Sequence, residues 1–321
     1  MLRLIFKYSL LLAIVFATIS VNQQIFPEQN NQDKIILMDE RIKNTLVLGK
    51  ITKNPKKHYK KLKKMVDYAV MNMKDLGILE GKVLLAKDLE QMTQYLAEGK
   101  VDWFSESVYP ACSIKDKGVA EIVLKRWKKG YSEYHTVYFT RKDSGINSIS
   151  KLLSKTIVFE DPDSTSAFFE PAYCLISKGY KFVKLDSKED KPPPDKIGYI
   201  FSGQEINSSM WVLKNIVDIG VLSNNDWDKK GNLHNKIKRE LKIIYTTRSL
   251  PRGIELFRTK LDPILKERLK DILLKAHLIP EGKMALNAYQ KTEKFEILNQ
   301  DDLKLINNIN MNVSAVRKEL E

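Results

Sequence analysis

Leu62, Met65, Val66, Ala69, Val70 and Met73 recur at intervals of three and four residues beneath a lysine run from Lys53 to Lys64. That spacing predicts a helix, entered after Pro55, with one face on a core and its lysines in water. Leu46-Val47-Leu48-Gly49 before it reads as a short strand, Lys82 to Ala86 as a second, Asp88 to Ala97 as a helix, and Val101-Asp102-Trp103-Phe104 as a third strand. Strand–helix–strand alternation marks a sheet with helices on its faces. Ala120 to Trp127 and Tyr134 to Phe139 read as long strands with little helix between them, and Ser148 to Leu153 as a short helix. Thr156 to Phe159, Ile197 to Phe201 and Val217 to Leu222 then alternate with helices over Phe168 to Ile176 and around Ser208 to Lys214. Lys242 to Tyr245 and Ile254 to Phe257 return to strand, and Asp262 to Ala276 is an amphipathic helix with Pro263 in its first turn, where proline is tolerated.

The alternation runs twice, the second run nested inside the first. It predicts an α/β chain of two lobes joined by two extended crossovers near 136–140 and 242–247. A ligand would sit in the cleft at the strand ends, with the crossovers as hinge. The expected boundaries are 45–137 plus 245–305 for the first lobe, 138–244 for the second and 306–321 for a C-terminal tail, helical or loose.

Residues 1–22 read as a signal peptide or retained anchor: Arg3 and Lys7 precede an apolar run from Leu10 to Ile19, too short to span a bilayer comfortably. Residues 23–44, rich in Asn, Gln and acids, read as a tether, so the expected location is periplasmic or otherwise extracytoplasmic. Cys112 and Cys174 have neither metal nor redox spacing, and are expected as buried thiols, although export permits a disulfide. The net charge of +14 is carried mostly by dispersed lysines. Without zinc spacing, an RNA-binding aromatic motif or an arginine-rich helix, no nucleic-acid partner is expected.

The chemistry concentrates at Ser164-Thr165-Ser166, between the Thr156 strand and the following helix. Free N–H groups, the positive end of a helix dipole and three hydroxyls converge there, which suits a tetrahedral oxyanion as well as an ordinary helix cap. His58, His135, His234 and His277 are scattered, and no glycine-rich phosphate loop or nucleophile elbow occurs. Ser164 and Ser166 have no visible base, so no enzyme activity and no cofactor or metal are expected.

In segment order and motif the chain resembles the substrate-binding proteins of phosphate, phosphite and phosphonate ABC transporters. The resemblance is carried by Val101-Asp102-Trp103-Phe104 with Tyr109, by Arg141 to Ile146, by Phe159 to Pro171 around the Ser-Thr-Ser string, by Phe201 to Glu205 and by Val221 to Asp226. It implies a type II periplasmic-binding-protein fold that closes on a small oxyanion and docks, as a monomer, on an ABC permease in the inner membrane. It implies Ser164, Thr165 and Ser166 as ligands, Phe104, Tyr109 and Tyr59 as pocket aromatics, and Gln204 where relatives often carry histidine. Asp226 matches an acid that holds an ammonium group in aminophosphonate binders, whereas Arg252 replaces the other. Glu106 would repel a dianion unless it accepts a hydrogen bond from a protonated ligand oxygen. Arg126 and Trp127 are further cleft candidates. The rival reading is a membrane-tethered oxyanion sensor acting on a signalling partner, and a weaker one is polyanion binding through the lysines.

Overall fold

Two six-stranded mixed sheets form the two lobes. The computed structural model describes residues 44–52, 54–228 and 235–320, so the expected leader and all but the end of the expected tether lie outside the described residues. Strands β1 (Thr45–Ile51), β2 (Glu80–Ala86), β3 (Trp103–Glu106) and β4 (Ala120–Lys128) build the first sheet. The chain leaves it through β5 (Glu133–Tyr134) and enters the second, made of β6 (Thr136–Arg141), β7 (Thr156–Phe159), β8 (Phe182–Lys184), β9 (Ile197–Phe201), β10 (Ile219–Ser223) and β11 (Leu241–Thr246). It returns through β12 (Leu250–Pro251) to β13 (Ile254–Arg258) and β14 (Thr292–Ile297). The strand orders are β14-β4-β13-β3-β1-β2 and β11-β6-β10-β7-β9-β8.

The predicted crossovers are displaced by a few residues. Thr136–Arg141 and Leu241–Thr246 pair with each other inside the second sheet, and the actual crossing is the small antiparallel pair β5–β12, with Leu250 opposite Tyr134. Strand membership therefore assigns Thr136 to Thr246 to the second lobe.

Local chemistry explains most elements. Helix Pro55–Met71 buries Leu62, Met65, Val66, Ala69 and Val70 against the first sheet and leaves its lysine face outward. Asp88 caps helix Leu89–Ala97 through the Gln91 N–H, and Asp262 caps helix Pro263–Lys275 through the N–H groups of Ile264 and Leu265. Buried Glu255 on β13 accepts hydrogen bonds from Trp103 Nε1, Ser105 Oγ and the Tyr289 hydroxyl, and so locks β13 and β3 to the helical layer.

Residues 306–321, expected as a tail, lie almost wholly in a long helix, Gln300–Leu320. It buries Ile306, Ile309, Val313, Val316 and Leu320 and runs across both lobes. Near its start Asp302 pairs with buried Lys125 of β4 at 2.8 Å; near its end Glu319 accepts the Phe182 N–H of β8. Among the described residues no helix is long and apolar enough to cross a membrane. Both cysteines are free, Cys112 buried and Cys174 half-buried, so no disulfide links them.

Candidate functional site

Strands β1, β3 and β4 run the same way in the first sheet, and β7, β9 and β10 the same way in the second. Residues at or just beyond the carboxyl ends of these strands line a cavity of about 730 Å³ between the lobes. This is where open α/β sheets place ligands, and the volume lies in the range of pockets for drug-sized molecules.

The second lobe contributes the tip Ser164-Thr165-Ser166. Ser164 is an N-cap in extended conformation, and its hydroxyl accepts the Ala167 N–H at 3.2 Å. The first turn, Thr165–Phe169, is a π-turn, with Ala167 at φ −111°, ψ 15°; such wide turns often occur at functional sites. The N–H groups of Thr165 and Ser166 have no acceptor among the described residues. The Thr165 hydroxyl is already engaged across the lobes: it donates to Ser107 Oγ at 2.9 Å and accepts the Tyr109 N–H at 3.0 Å. Tyr134, on β5, also lines the cavity beside Thr165 and Ser166; burial raises its pKa.

The first lobe contributes a cationic corner: Lys50 at the end of β1, and Arg126 and Lys128 at the end of β4, joined by Arg252 beside the return crossover. Glu106 at the end of β3 lies 3.6 Å from Lys50. Burial pushes the Glu106 carboxyl up, but Lys50, the Ser107 N–H, Lys128 and Arg126 outweigh it and hold it below the usual carboxylate range. Burial, reinforced by the charges of Arg252, Arg126 and Lys50, drives Lys128 well below an ordinary lysine. Arg252 stacks over the Tyr134 ring at 4.6 Å. On the second-lobe wall, Glu205 is pushed up to about 8 by burial and by repulsion from Asp226 and Glu160. It is therefore mostly protonated at neutral pH and adds little negative charge to the cleft. Asp226 accepts a hydrogen bond from the Ser223 hydroxyl.

Of the residues singled out in the sequence, Ser164, Thr165, Ser166, Glu106, Arg126, Asp226 and Arg252 come together around this cavity. Five do not line it. Phe104 is wholly buried in β3, paired with Leu256. Tyr109 stacks on Phe169 of the other lobe at 4.3 Å, and its hydroxyl accepts from Arg317 Nε at 2.9 Å, which makes it an interlobe packing residue. Tyr59 is 45% exposed on the lysine-rich helix, and Gln204 points to solvent between Gly203 and Glu205, which do line the cavity. Trp127 turns away and donates to Glu296. Lys50, Lys128, Tyr134 and Glu205 were not foreseen. Their only sequence signal is a polar residue at or just past the end of a predicted strand, and which strand ends converge depends on non-local pairing.

Residues 59–303 match the family model described as ABC transporter, phosphonate, periplasmic substrate-binding protein. The chain is 28% identical over 221 residues to the phosphonates-binding periplasmic protein of Escherichia coli, across 66% of this chain and 61% of that protein. It is 34% identical to XAC2383 from Xanthomonas citri, solved bound to chloride and bound to ATP; the ATP-bound structure has a TM-score of 0.82 and covers 87% of this chain and 100% of that one. PhnD1 from Prochlorococcus marinus in complex with methylphosphonate, 18% identical, shares the fold with a TM-score of 0.61 over 84% of this chain and 98% of that one. With a type II two-lobed architecture and a family match over most of its length, the chain belongs to the periplasmic substrate-binding proteins of phosphonate ABC transporters.

Proposed function

We propose that this protein captures a phosphate-, phosphite- or phosphonate-like oxyanion in the cleft between its lobes and delivers it to an ABC permease. The observation that supports this reading is the Ser164–Ser166 tip, whose Thr165 and Ser166 N–H groups have no acceptor among the described residues and which lines a cavity together with Lys50, Lys128 and Arg252. Hydrogen bonds to a charged oxygen contribute roughly 1.5–3 kcal/mol each, so three to five of them support micromolar capture, about 8 kcal/mol net, after ordering costs. Ser166 is the residue assigned to direct contact; Thr165 acts through the interlobe bonds described above. PhnD1 of Prochlorococcus marinus was solved with methylphosphonate and XAC2383 with ATP, ligands of very different size, and the cavity of about 730 Å³ is large enough to leave that range open here.

Isothermal calorimetry with phosphate, phosphite and methylphosphonate tests the reading. At least one of them should bind in the micromolar range, and Ser166→Ala should weaken it about tenfold or more, the loss of one charge-assisted hydrogen bond. Absence of measurable binding for all three, or equal affinity in variant and parent, refutes it.

A further inference from the structure

The first-lobe corner holds more positive charge than its own fold uses. Arg126 is only 3% exposed, yet its Nε and Nη1 have no hydrogen-bond partner. Its guanidinium lies 3.4 Å from Glu255, within ion-pair range, and 5.0 Å from the Tyr289 ring centre. Glu255 already accepts hydrogen bonds from Trp103, Ser105 and Tyr289, and Arg126 has only this longer contact with it. A buried guanidinium with unsatisfied N–H groups is costly, and this one borders the ligand cavity. Gly253 keeps room for it: a Cβ there would come within 3.0 Å of Arg126 Nε. Lys128, beside it, makes no ion pair among the described residues. At this corner four cations, Lys50, Arg126, Lys128 and Arg252, stand with Glu106 and with Glu255 behind Arg126, while the rest of the cavity lining carries Lys87, Asp88, Glu160, Asp161, Asp163, Glu205 and Asp226. Proteins do not assemble mutually repelling, desolvated cations unless something anionic completes them.

We propose that this corner is a second anion subsite, and that the ligand is a small molecule bearing two phosphoryl-type groups, one at the Ser164–Ser166 tip and the other held by Arg126, Lys128, Lys50 and Arg252. The inference rests on oxyanion capture in this cleft and names the ligand class. A single oxyanion can satisfy one wall of the cavity; a diphosphate or polyphosphate ester engages both, and so ties the two lobes together through the ligand. Arg126 supplies the planar, paired donors that suit a phosphoryl group, while Lys50 and Lys128 act as point charges.

Calorimetry in a metal-free, chelator-containing buffer separates the possibilities, with phosphate, methylphosphonate and pyrophosphate as probes. Pyrophosphate should bind at least about tenfold tighter than phosphate, the difference that one additional charge-assisted contact makes. In Lys128→Met that ratio should collapse toward one, with the variant's melting curve confirming that it folds; Arg252→Gln, on a separate element, should lower the ratio as well. Pyrophosphate binding no tighter than phosphate, or a ratio unchanged in both variants, overturns the second subsite. If methylphosphonate or phosphate still binds in that case, single-oxyanion capture survives; if no probe binds, both readings fall.

Discussion

Thr165→Val tests how the cleft is held together. The substitution keeps the shape and removes the hydroxyl, which donates to Ser107 Oγ at 2.9 Å and accepts the Tyr109 N–H at 3.0 Å. Both partners lie on the first lobe, so the change removes two interlobe hydrogen bonds from a residue only 1% exposed. At about 0.5–1.5 kcal/mol net each, the loss is about 2 kcal/mol. If these bonds form as the lobes close, the loss falls on the ligand-bound state, and methylphosphonate affinity should drop roughly 30-fold, since 1.4 kcal/mol is a factor of ten. Ser107→Ala removes one of the two bonds and should produce a loss of about fivefold. A double-mutant cycle then distinguishes mechanism: bonds shared across the cleft require the two losses to be non-additive, with a coupling energy of about 0.5–1.5 kcal/mol. Calorimetry supplies the affinities, and thermal melts of the ligand-free variants show how much of the loss is plain instability. Parent-like binding by Ser107→Ala alongside weakened binding by Thr165→Val would refute the interlobe role, because the hydroxyl would then be acting on the ligand alone.

Three further outcomes follow from the structure. Glu205 has a folded pKa raised to about 8 from an ordinary value near 4.5, so its ionisation destabilises the fold progressively as pH rises through that window. Glu205→Gln should therefore melt close to the parent at pH 5 and above it at pH 9; a gap that does not widen with pH contradicts the assignment. Deleting residues 306–321 removes the buried side chains of Ile306, Ile309, Val313, Val316 and Leu320. At roughly 1.5–3 kcal/mol apiece this matches a whole domain's stability of about 5–15 kcal/mol, so the truncated chain should show no cooperative melt. Burial pushes the Cys112 thiol up to about 12, so a thiol reagent at pH 8 should label it only after denaturant is added; rapid labelling of both cysteines in the native protein would show that the Cys112 environment is open.

The lobes were legible because their strands are short β-branched and aromatic runs punctuated by turns. Thr156–Phe159 and Ile197–Phe201 emerge where the pattern places them, and the stripe from Leu62 to Met73 is buried as its spacing requires. The C-terminal helix was harder to read. Its apolar positions keep helical spacing, but Asn307, Asn308, Asn310 and Asn312 between them are weak helix formers, and only packing on both lobes stabilises it. Helix Val108–Asp116 was missed because it is apolar on nearly every side and shows no amphipathic period. At the site, the hydroxyl tip announces itself as a local string. The cationic corner does not: Lys50 and Lys128 are 78 residues apart and ordinary within a lysine-rich chain, until β13 inserts between β3 and β4 and brings their strand ends to one edge. Tyr109 misled for the opposite reason, since nothing local distinguishes a pocket tyrosine from one stacked across an interface.

The helix Gln300–Leu320 changes what kind of hinge this is. Two thin strands would let the halves bend, twist and slide against each other. A stiff rod fastened to one half through Asp302 and Tyr109 and to the other through Glu319 resists torsion and sliding, leaving flexion about the β5–β12 pair as the soft motion. If the lobes open and close on a ligand as proposed, the swing is about a single axis with its stop set far from the cleft, and changes at Arg317 or Glu319 should alter the rates of ligand binding and release without touching the pocket.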